Sequence, residues 1–432
     1  MRFRRGRRGD GSGLGEGVLT QPFMRRSGEL YCGDVPAAEL AARFGTPLYV
    51  YDMQKIDERV RAFRIAFAGI DHMLAYSVKA NGNLSILRRL HAMGCGADIT
   101  SLGELFRARQ AGIPGRMIVF AGVGKTVPEI EAALEYGIYA FNVESRGELE
   151  RIDEVATRLG RRAPFSVRVN PDVFAATPHE YTRTGTATTK FGVPWDETRD
   201  LYSWAKDRSS LAPVGIDMHI GSQIAEATPY VRALERLLDL VTELNAAGID
   251  LEFLDIGGGY GIRYDSDPGL DLDELAAEIV PRVKSAGLRL ILEPGRSIVG
   301  DAGVLLIRVE YVKKSGGKHL VVVDGGMSEL IRPSHYGGFH AVEHVRPSQG
   351  PTKLIDIVGP ICETGDFLAR DRELPLPEPG DLLAVRTVGA CGFSMASNYN
   401  GRLRPAETMV DGNEATLIRQ RETLSDLVRG EE

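Results

Sequence analysis

From residue 72 onward the chain repeats one pattern, a short apolar run of strand character followed by a longer stretch with helical spacing. The runs cover 72–78, 96–100, 116–120, 138–142, 165–170, 214–219, 253–256 and 289–292. Helical stretches lie between them, among them 83–93, 102–111, 128–136, 146–159 and 230–247, the last with Leu234, Leu237, Leu238 and Val241 at helical spacing. Strands alternating with helices predict a parallel sheet covered by helices, and eight such units close into a (β/α)8 barrel. This fixes the fold class as α/β.

The rest of the chain sorts around that unit. Residues 1–27 form a leader in which Arg2, Arg4, Arg5, Arg7 and Arg8 sit among glycines without an apolar signal region. It reads as a disordered tail, with a transit peptide or an anion-binding arm as alternatives. Residues 28–45, with a strand candidate at 29–32 and a helix at 36–44, are expected to pack against the C-terminal domain. The barrel is placed at 46–302, beginning with the apolar run 47–51. Residues 303–432 turn β-rich, with candidate strands at 303–312, 319–324, 354–358, 381–388 and 407–411, which predicts a β-sandwich or β-barrel domain.

Composition excludes several classes. A formal net charge of -7 argues against a nucleic-acid partner, whose affinity depends on clustered cations. No apolar stretch is long enough to predict a membrane span. Cys32, Cys95, Cys362 and Cys391 are too sparse to staple 432 residues and show no metal-binding spacing, so a reducing cytoplasmic setting and no metal are expected.

Chemistry concentrates at the strand exits, which carry Lys79, Asp98, Gly122, Asn142, Arg168, His219, the triplet Gly257-Gly258-Gly259, and Glu293. In a barrel of this kind the catalytic groups come from the ends of several strands. Lys79 reads either as a solvated lysine ending a strand or as an amine partly withdrawn from water, less inclined to be ammonium and so able to condense with an aldehyde. The glycine triplet alone is a tight turn; paired with Gly295-Arg296 on the adjacent strand it suits a phosphate. A dinucleotide fingerprint does not explain it, because that would follow the first strand. The long connection 171–194, with His179-Glu180-Tyr181-Thr182-Arg183-Thr184-Gly185 and Thr189-Lys190-Phe191-Gly192, is read as a lid or substrate contact rather than a passive excursion.

A condensing amine, a phosphate turn and a strand-end carboxylate together point to pyridoxal 5'-phosphate, with Glu293 keeping the ring nitrogen protonated. His219 either lies on the ring or is a satisfied core histidine.

Six collinear motifs carry a resemblance. Tyr76-Ser77-Val78-Lys79-Ala80-Asn81, His219-Ile220-Gly221-Ser222-Gln223, the Gly257 triplet, Glu293-Pro294-Gly295-Arg296, Cys362-Glu363-Thr364-Gly365-Asp366 and Ser397-Asn398-Tyr399-Asn400 resemble the diaminopimelate decarboxylases, of the alanine-racemase-like class of pyridoxal phosphate enzymes. The resemblance runs from about residue 28 to the C-terminus. It implies that meso-2,6-diaminopimelate loses one carboxylate as carbon dioxide and leaves as L-lysine. Lys79 would hold the cofactor, with Glu293 at the ring nitrogen and His219 on the ring. Gly257, Gly258, Gly259, Gly295, Arg296 and Tyr399 would bind the phosphate, and Asp98, Arg168 and Ser222 complete the cofactor set. Arg296, Arg332 and Tyr336 would hold the distal carboxylate, with Tyr399 beside them and Glu363 reading the distal amine. Cys362 would be the proton donor. The resemblance also implies a homodimer, with Cys362 and Glu363 delivered by the partner subunit.

Two departures stand out: Cys391, where an aromatic or small residue is expected, and Thr364, where serine is commoner. The stretch from Ser334 to His344, with three histidines and two glycines, also fits the pattern less closely at Tyr336. Rival readings are a same-fold decarboxylase of ornithine, arginine or carboxynorspermidine, an amino-acid racemase, and a non-catalytic pyridoxal phosphate carrier. Glu363, together with the Thr184-Gly185 to Lys190-Phe191-Gly192 loop, favours diaminopimelate over the other decarboxylase substrates, the Cys362-Glu363 pair in place of a tyrosine base disfavours the racemase, and the β-rich C-terminal residues with Cys362 and Tyr399 disfavour the carrier.

Overall fold

The structure is a computed structural model in which residues 23–179, 184, 189–264 and 269–431 are described. Most of the basic leader and residues 180–183 and 185–188 of the long connection therefore lie outside the described residues.

The expected barrel forms. Its parallel strands are His72–Ser77, Gly96–Ile99, Ile118–Phe120, Ala140–Val143, Ala163–Arg168, Leu211–Asp217, Phe253–Asp255 and Arg289–Leu292, and the last pairs with the first to close the ring. Buried on both faces, such strands read as unbroken apolar runs. The helices that return the chain start on side-chain caps: Asn83 accepts from Ser85 N–H, Ser101 from Glu104 N–H, Ser145 from Glu148 N–H, and Asp271 from Asp273 and Glu274 N–H. Each cap satisfies a donor that the helix leaves open, at about 1 kcal/mol apiece.

Successive strand residues point to opposite faces, and this alternation builds the barrel interior in two layers. Met73, Ala75, Val119, Ala140, Phe253 and Ile291 form one compact buried apolar cluster. Two residues further along the same strands come Ser77, Asn142, Asp255 and Glu293, all buried. A polar layer thus rests on an apolar plug. The intervening Leu74, Tyr76, Leu254 and Leu292 join the larger core shared with the helices.

The strand Leu48–Asp52, which the sequence reading put at the start of the barrel, runs elsewhere. It lies between Gly303–Ser315, antiparallel, and Ala406–Asp411, parallel, in the middle of the C-terminal sheet system. Only after it does the helix Met53–Ala66 lead into the barrel, started by the Asp52 side chain. Gly303–Ser315 belongs to two sheets: its first half pairs with Leu48–Asp52 and Leu382–Arg386, and its second with Lys318–Val323. Strands Val342–His344, Phe367–Pro375 and Glu414–Arg419 complete the domain beyond those expected. Residues 30–41 pack their apolar side chains on this domain, where Leu30, Cys32, Leu40, Val304, Val345 and Val410 share one buried cluster.

The two parts meet at the turn that carries Lys79. Ala80 C=O accepts from Cys391 N–H at 2.8 Å and from the Ser394 hydroxyl at 3.1 Å, while Asn81 Nδ2 donates to Gly389 C=O at 3.2 Å. Buried Glu407 accepts from the Tyr51 hydroxyl, Asn83 Nδ2 and Arg419 Nε. The C-terminal domain therefore fixes the backbone immediately after Lys79.

Candidate active site

Lys79 stands just past the first barrel strand with its side chain 49% exposed, and its Nζ donates to Asp98 Oδ2 at 3.0 Å. Parallel pairing of Ser77 with Asp98 brings the two together, and the Ser77 hydroxyl donates to the same carboxylate oxygen at 2.8 Å. The expectation that withdrawal from water would favour the free amine is corrected here. Burial does push the Lys79 pKa down, but the carboxylates of Asp98, Glu293 and Glu104 outweigh it and leave it above the ordinary lysine value. On its own the site keeps Lys79 as ammonium.

Glu293 ends the eighth strand, buried. Asn142 Nδ2 donates to its Oε1 at 3.2 Å, and Asn142 Oδ1 accepts from the Ser166 hydroxyl at 2.7 Å. Asp217 and Asp255 lie with it, the three offering ligand atoms within 4.8 Å of one another. Burial, reinforced by the neighbouring carboxylates, raises Glu293 and Asp217 well above the usual carboxylate range and Asp255 to about 7. Three charges cannot be held so close in a dry interior, so the trio retains protons. Neither Asp217 nor Asp255 was given a role from sequence; their position two residues before a strand exit, on the inward parity, is the signal that would have found them.

His219 is neutral and its tautomer is determined. Gly258 N–H donates to Nδ1 at 3.1 Å, which leaves the proton on Nε2, and burial with the nearby Arg168 and Lys79 charges pushes the imidazole well below its ordinary value. Arg168 is buried, pairs with Glu144 at 3.1 Å and lies 4.8 Å from the Phe191 ring. Thr184, from the long connection, donates its hydroxyl to His219 C=O at 2.8 Å.

The glycine triplet serves the protein's own backbone first. A Cβ on Gly258 would stand 2.2 Å from Glu293 O, and one on Gly259 2.0 Å from Gly221 O, so the turn locks the seventh strand to the sixth and eighth. The adjacent helix Arg296–Val299 opens beside it, and N–H groups of a first helical turn have no intrahelical acceptor.

A second group of side chains continues from Arg296. Its Nη1 donates to the Tyr264 hydroxyl at 2.6 Å, and its Nη2 reaches Ser222 Oγ only at 3.5 Å. Arg332, buried at the start of the short helix Arg332–Tyr336, lies 4.9 Å from the Tyr264 ring and hydrogen-bonds His340 at 2.8 Å. Tyr336 packs edge-on to His179 and His335. Tyr264 and His340 have no local sequence signal and were missed.

Cys362, Glu363 and Tyr399 form a separate exposed group. Cys362 N–H donates to Asn400 Oδ1 at 3.2 Å, and the Tyr399 hydroxyl interacts with Glu363, which raises the phenol's pKa. Tyr399, expected at the cofactor phosphate, thus keeps company with Cys362 and Glu363.

Buried polar atoms without a protein partner concentrate at this mouth, namely Asp98 Oδ1, Arg168 Nη2, Asp217 Oδ1, Asp255 Oδ2, Arg296 Nε and Arg332 Nε. A group bearing an aldehyde, a cationic ring nitrogen and an anionic tail suits this set: an amine on open ground, a buried acidic trio, a neutral imidazole and two guanidiniums. Pyridoxal 5'-phosphate fits.

Comparisons with known proteins agree. Residues 53–300 match the family model "Pyridoxal-dependent decarboxylase, pyridoxal binding domain". A diaminopimelate decarboxylase of Pseudomonas aeruginosa is 49% identical over 410 residues, covering 95% of this chain and 98% of the relative. The crystal structure of diaminopimelate decarboxylase from Helicobacter pylori complexed with L-lysine superposes with a TM-score of 0.88 at 42% identity, covering 91% of this chain and 98% of that one. The crystal structure of diaminopimelate decarboxylase from M. jannaschii in co-complex with L-lysine gives a TM-score of 0.91 at 36% identity, with 96% of this chain and 98% of that one covered. The chain belongs to the diaminopimelate decarboxylase family of pyridoxal-dependent decarboxylases.

Proposed function

We propose that this site removes one carboxylate of meso-2,6-diaminopimelate, releasing carbon dioxide and L-lysine in the last step of lysine biosynthesis, with the cofactor on Lys79. The observation that carries the residue assignment is the pair Arg296 and Arg332. Arg332 is buried and Arg296 half-buried beside the barrel mouth, and among the described residues their hydrogen bonds go only to neutral groups, Tyr264, Ser222 and His340. Guanidiniums partly withdrawn from water and without a carboxylate partner favour an arriving anion, and each can grip a carboxylate with two parallel bonds. An amino-acid substrate needs such a clamp only if it has a second carboxylate to present.

Each residue then has a task. The bound cofactor supplies an electron sink for the pair left when the carboxylate departs. Asp98 holds Lys79 in place through Nζ and takes up its positive charge. Glu293, backed by the protons shared with Asp217 and Asp255, presents a carboxylate to the ring nitrogen. His219, neutral and fixed by Gly258 N–H, offers a flat face without adding a charge that would oppose the ring. Arg296 and Arg332, with Tyr336 alongside, hold the distal carboxylate, and the distal ammonium is read by Glu363. Cys362 delivers the proton to the carbon that lost its carboxylate.

Cys362 and Glu363 are exposed on the β-rich domain and bond locally to Asn400 and Tyr399. We take them to enter the site of a partner subunit in a homodimer, with Tyr399 travelling alongside. Exposed Leu102, Phe106, Val123 and Val127 near the barrel mouth supply apolar surface for such a contact. Four free cysteines fit a cytoplasmic location, and among the described residues no helix is long and apolar enough to cross a membrane.

Two measurements test this reading. Carbon dioxide release is compared on meso-2,6-diaminopimelate, ornithine and arginine, with turnover expected on the first. Borohydride reduction of the holoenzyme and peptide mapping should place the pyridoxyl group on Lys79 alone; label on another lysine refutes the site.

A further inference from the structure

We propose that His340 and Tyr264 are positioning residues that aim Arg332 and Arg296 at the distal carboxylate while leaving both guanidiniums fully charged. This rests on the reading of the two arginines given above and adds the device that orients them.

His340 is buried between two groups that together determine its proton. Its Nδ1 lies 2.8 Å from the carbonyl oxygen of Arg386, which only accepts, so Nδ1 carries the hydrogen. Its Nε2 lies 2.8 Å from Arg332 Nη1, which only donates, so Nε2 presents a lone pair. Both neighbours demand one tautomer, and that tautomer is neutral. Burial and the adjacent Arg332 charge lower the imidazole to about 3, so it stays neutral through the working pH range.

Tyr264 performs the same service for Arg296 and joins the two halves. Its hydroxyl accepts from Arg296 Nη1 at 2.6 Å, its ring lies 4.9 Å from Arg332 Cζ, and it meets the His340 ring edge-on at 5.4 Å. A single phenol thus touches both guanidiniums and the imidazole that steers one of them.

A carboxylate at either place would orient an arginine equally well and cancel its charge. Neutral acceptors and a ring face orient without cancelling. Arg332 gives up only Nη1, to His340, while Arg296 gives Nη1 to Tyr264 and a long 3.5 Å contact from Nη2 to Ser222; Nε of both arginines has no protein partner. For Arg332 the Nε–Nη2 edge, the one that meets a carboxylate with two parallel bonds, is left to the substrate. The same arrangement repels an ammonium-ended substrate, which bears on selection against ornithine.

The test uses the holoenzyme and a pair of variants of equal size, His340→Gln and His340→Glu. Gln keeps a neutral acceptor toward Arg332; Glu places a charge there. KM for meso-2,6-diaminopimelate and the dissociation constant of L-lysine, which retains the distal carboxylate, are measured together. We expect both to rise by no more than about 5-fold in His340→Gln and by about 100-fold in His340→Glu, with the loss in KM rather than kcat. Equal effects of Gln and Glu mark a space-filling role and overturn the proposal. Should neither variant retain the cofactor's absorbance, Tyr264→Phe decides: removal of one acceptor from a charged donor raises KM by about 10-fold or more, and an unchanged KM overturns the proposal. A wild-type enzyme that releases no carbon dioxide from the substrate sinks the parent reading instead.

Discussion

Replacing Asp98 by asparagine tests the electrostatics of the site with almost no change of shape. Asp98 is fully buried and faces Lys79 Nζ at 3.0 Å, while the lysine side chain is half exposed. At that separation two unit charges attract by about 5 kcal/mol with an effective dielectric constant of 20, and by about 1.4 kcal/mol in bulk water. Half exposure places the pair between these limits, and solvent screening favours the lower part, so about 2 kcal/mol is a fair figure. The free-amine fraction of Lys79 at neutral pH should then rise about 30-fold in Asp98→Asn. Cofactor-free protein would be exposed to pyridoxal, which lacks the phosphate and so responds little to the lost negative charge, and trapped with borohydride across a pH series. Label on Lys79 should appear about 30-fold faster in the variant at neutral pH, and the ratio should hold for as long as both amines remain mostly protonated. Equal rates at neutral pH would refute the claim that Asp98 sets the charge of Lys79.

On the proposed role of Arg332 in holding the distal carboxylate, Arg332→Ala should raise KM for meso-2,6-diaminopimelate by an amount equivalent to about 2 to 5 kcal/mol, with Arg332→Lys recovering only part because it lacks the two-bond geometry; steady-state kinetics checks it. The raised Asp255 pKa makes the folded, cofactor-free protein hold a proton that the unfolded chain loses near pH 4. Its stability should therefore be fully present below pH 4 and decline as pH rises toward about 7, at about 1.4 kcal/mol per pH unit per retained proton. Asp255→Asn should flatten that decline in denaturant titrations of the apoprotein. Glu407→Gln leaves Arg419 without its carboxylate in the layer that fixes the Lys79 turn, and a loss of about 3 kcal/mol is expected from denaturant midpoints.

The barrel was legible because a strand buried on both faces carries an apolar signature that owes nothing to its partner. Leu48–Asp52 shows where that stops: Leu-Tyr-Val-Tyr reads the same whether the strand opens a barrel or fills a gap between Gly303–Ser315 and Ala406–Asp411. The choice is made by residues about 250 to 360 positions away. Phe367–Pro375, with four charged residues of nine, and Glu414–Arg419, with two of six, escaped notice for the opposite reason, since only Leu368 and Ala369 of the two strands are buried. In the site, Lys79 and Glu293 announced themselves as polar residues ending apolar runs. The charge state of Lys79 did not, because Asp98 reaches it only through the pairing of neighbouring strands.

Asp217, Asp255 and the two-layer interior point to a tighter link between fold and chemistry. On the first, fourth, seventh and eighth strands the apolar plug and the polar layer are two positions apart, as in Ala75 and Ser77, Ala140 and Asn142, Phe253 and Asp255, Ile291 and Glu293. One strand register therefore serves both. A shift by a single residue would put Leu254 or Leu292 on the inner face while sending Asp255 and Glu293 against the helices, where no partner could offset a buried carboxylate. The acidic trio is costly to bury, yet the plug beneath it can form only in the register that creates it. Stability of the barrel and placement of the acidic partner proposed for the cofactor are thus selected by the same alternation, and on that proposal a cationic ring nitrogen held beside Glu293 would offset part of the trio's cost.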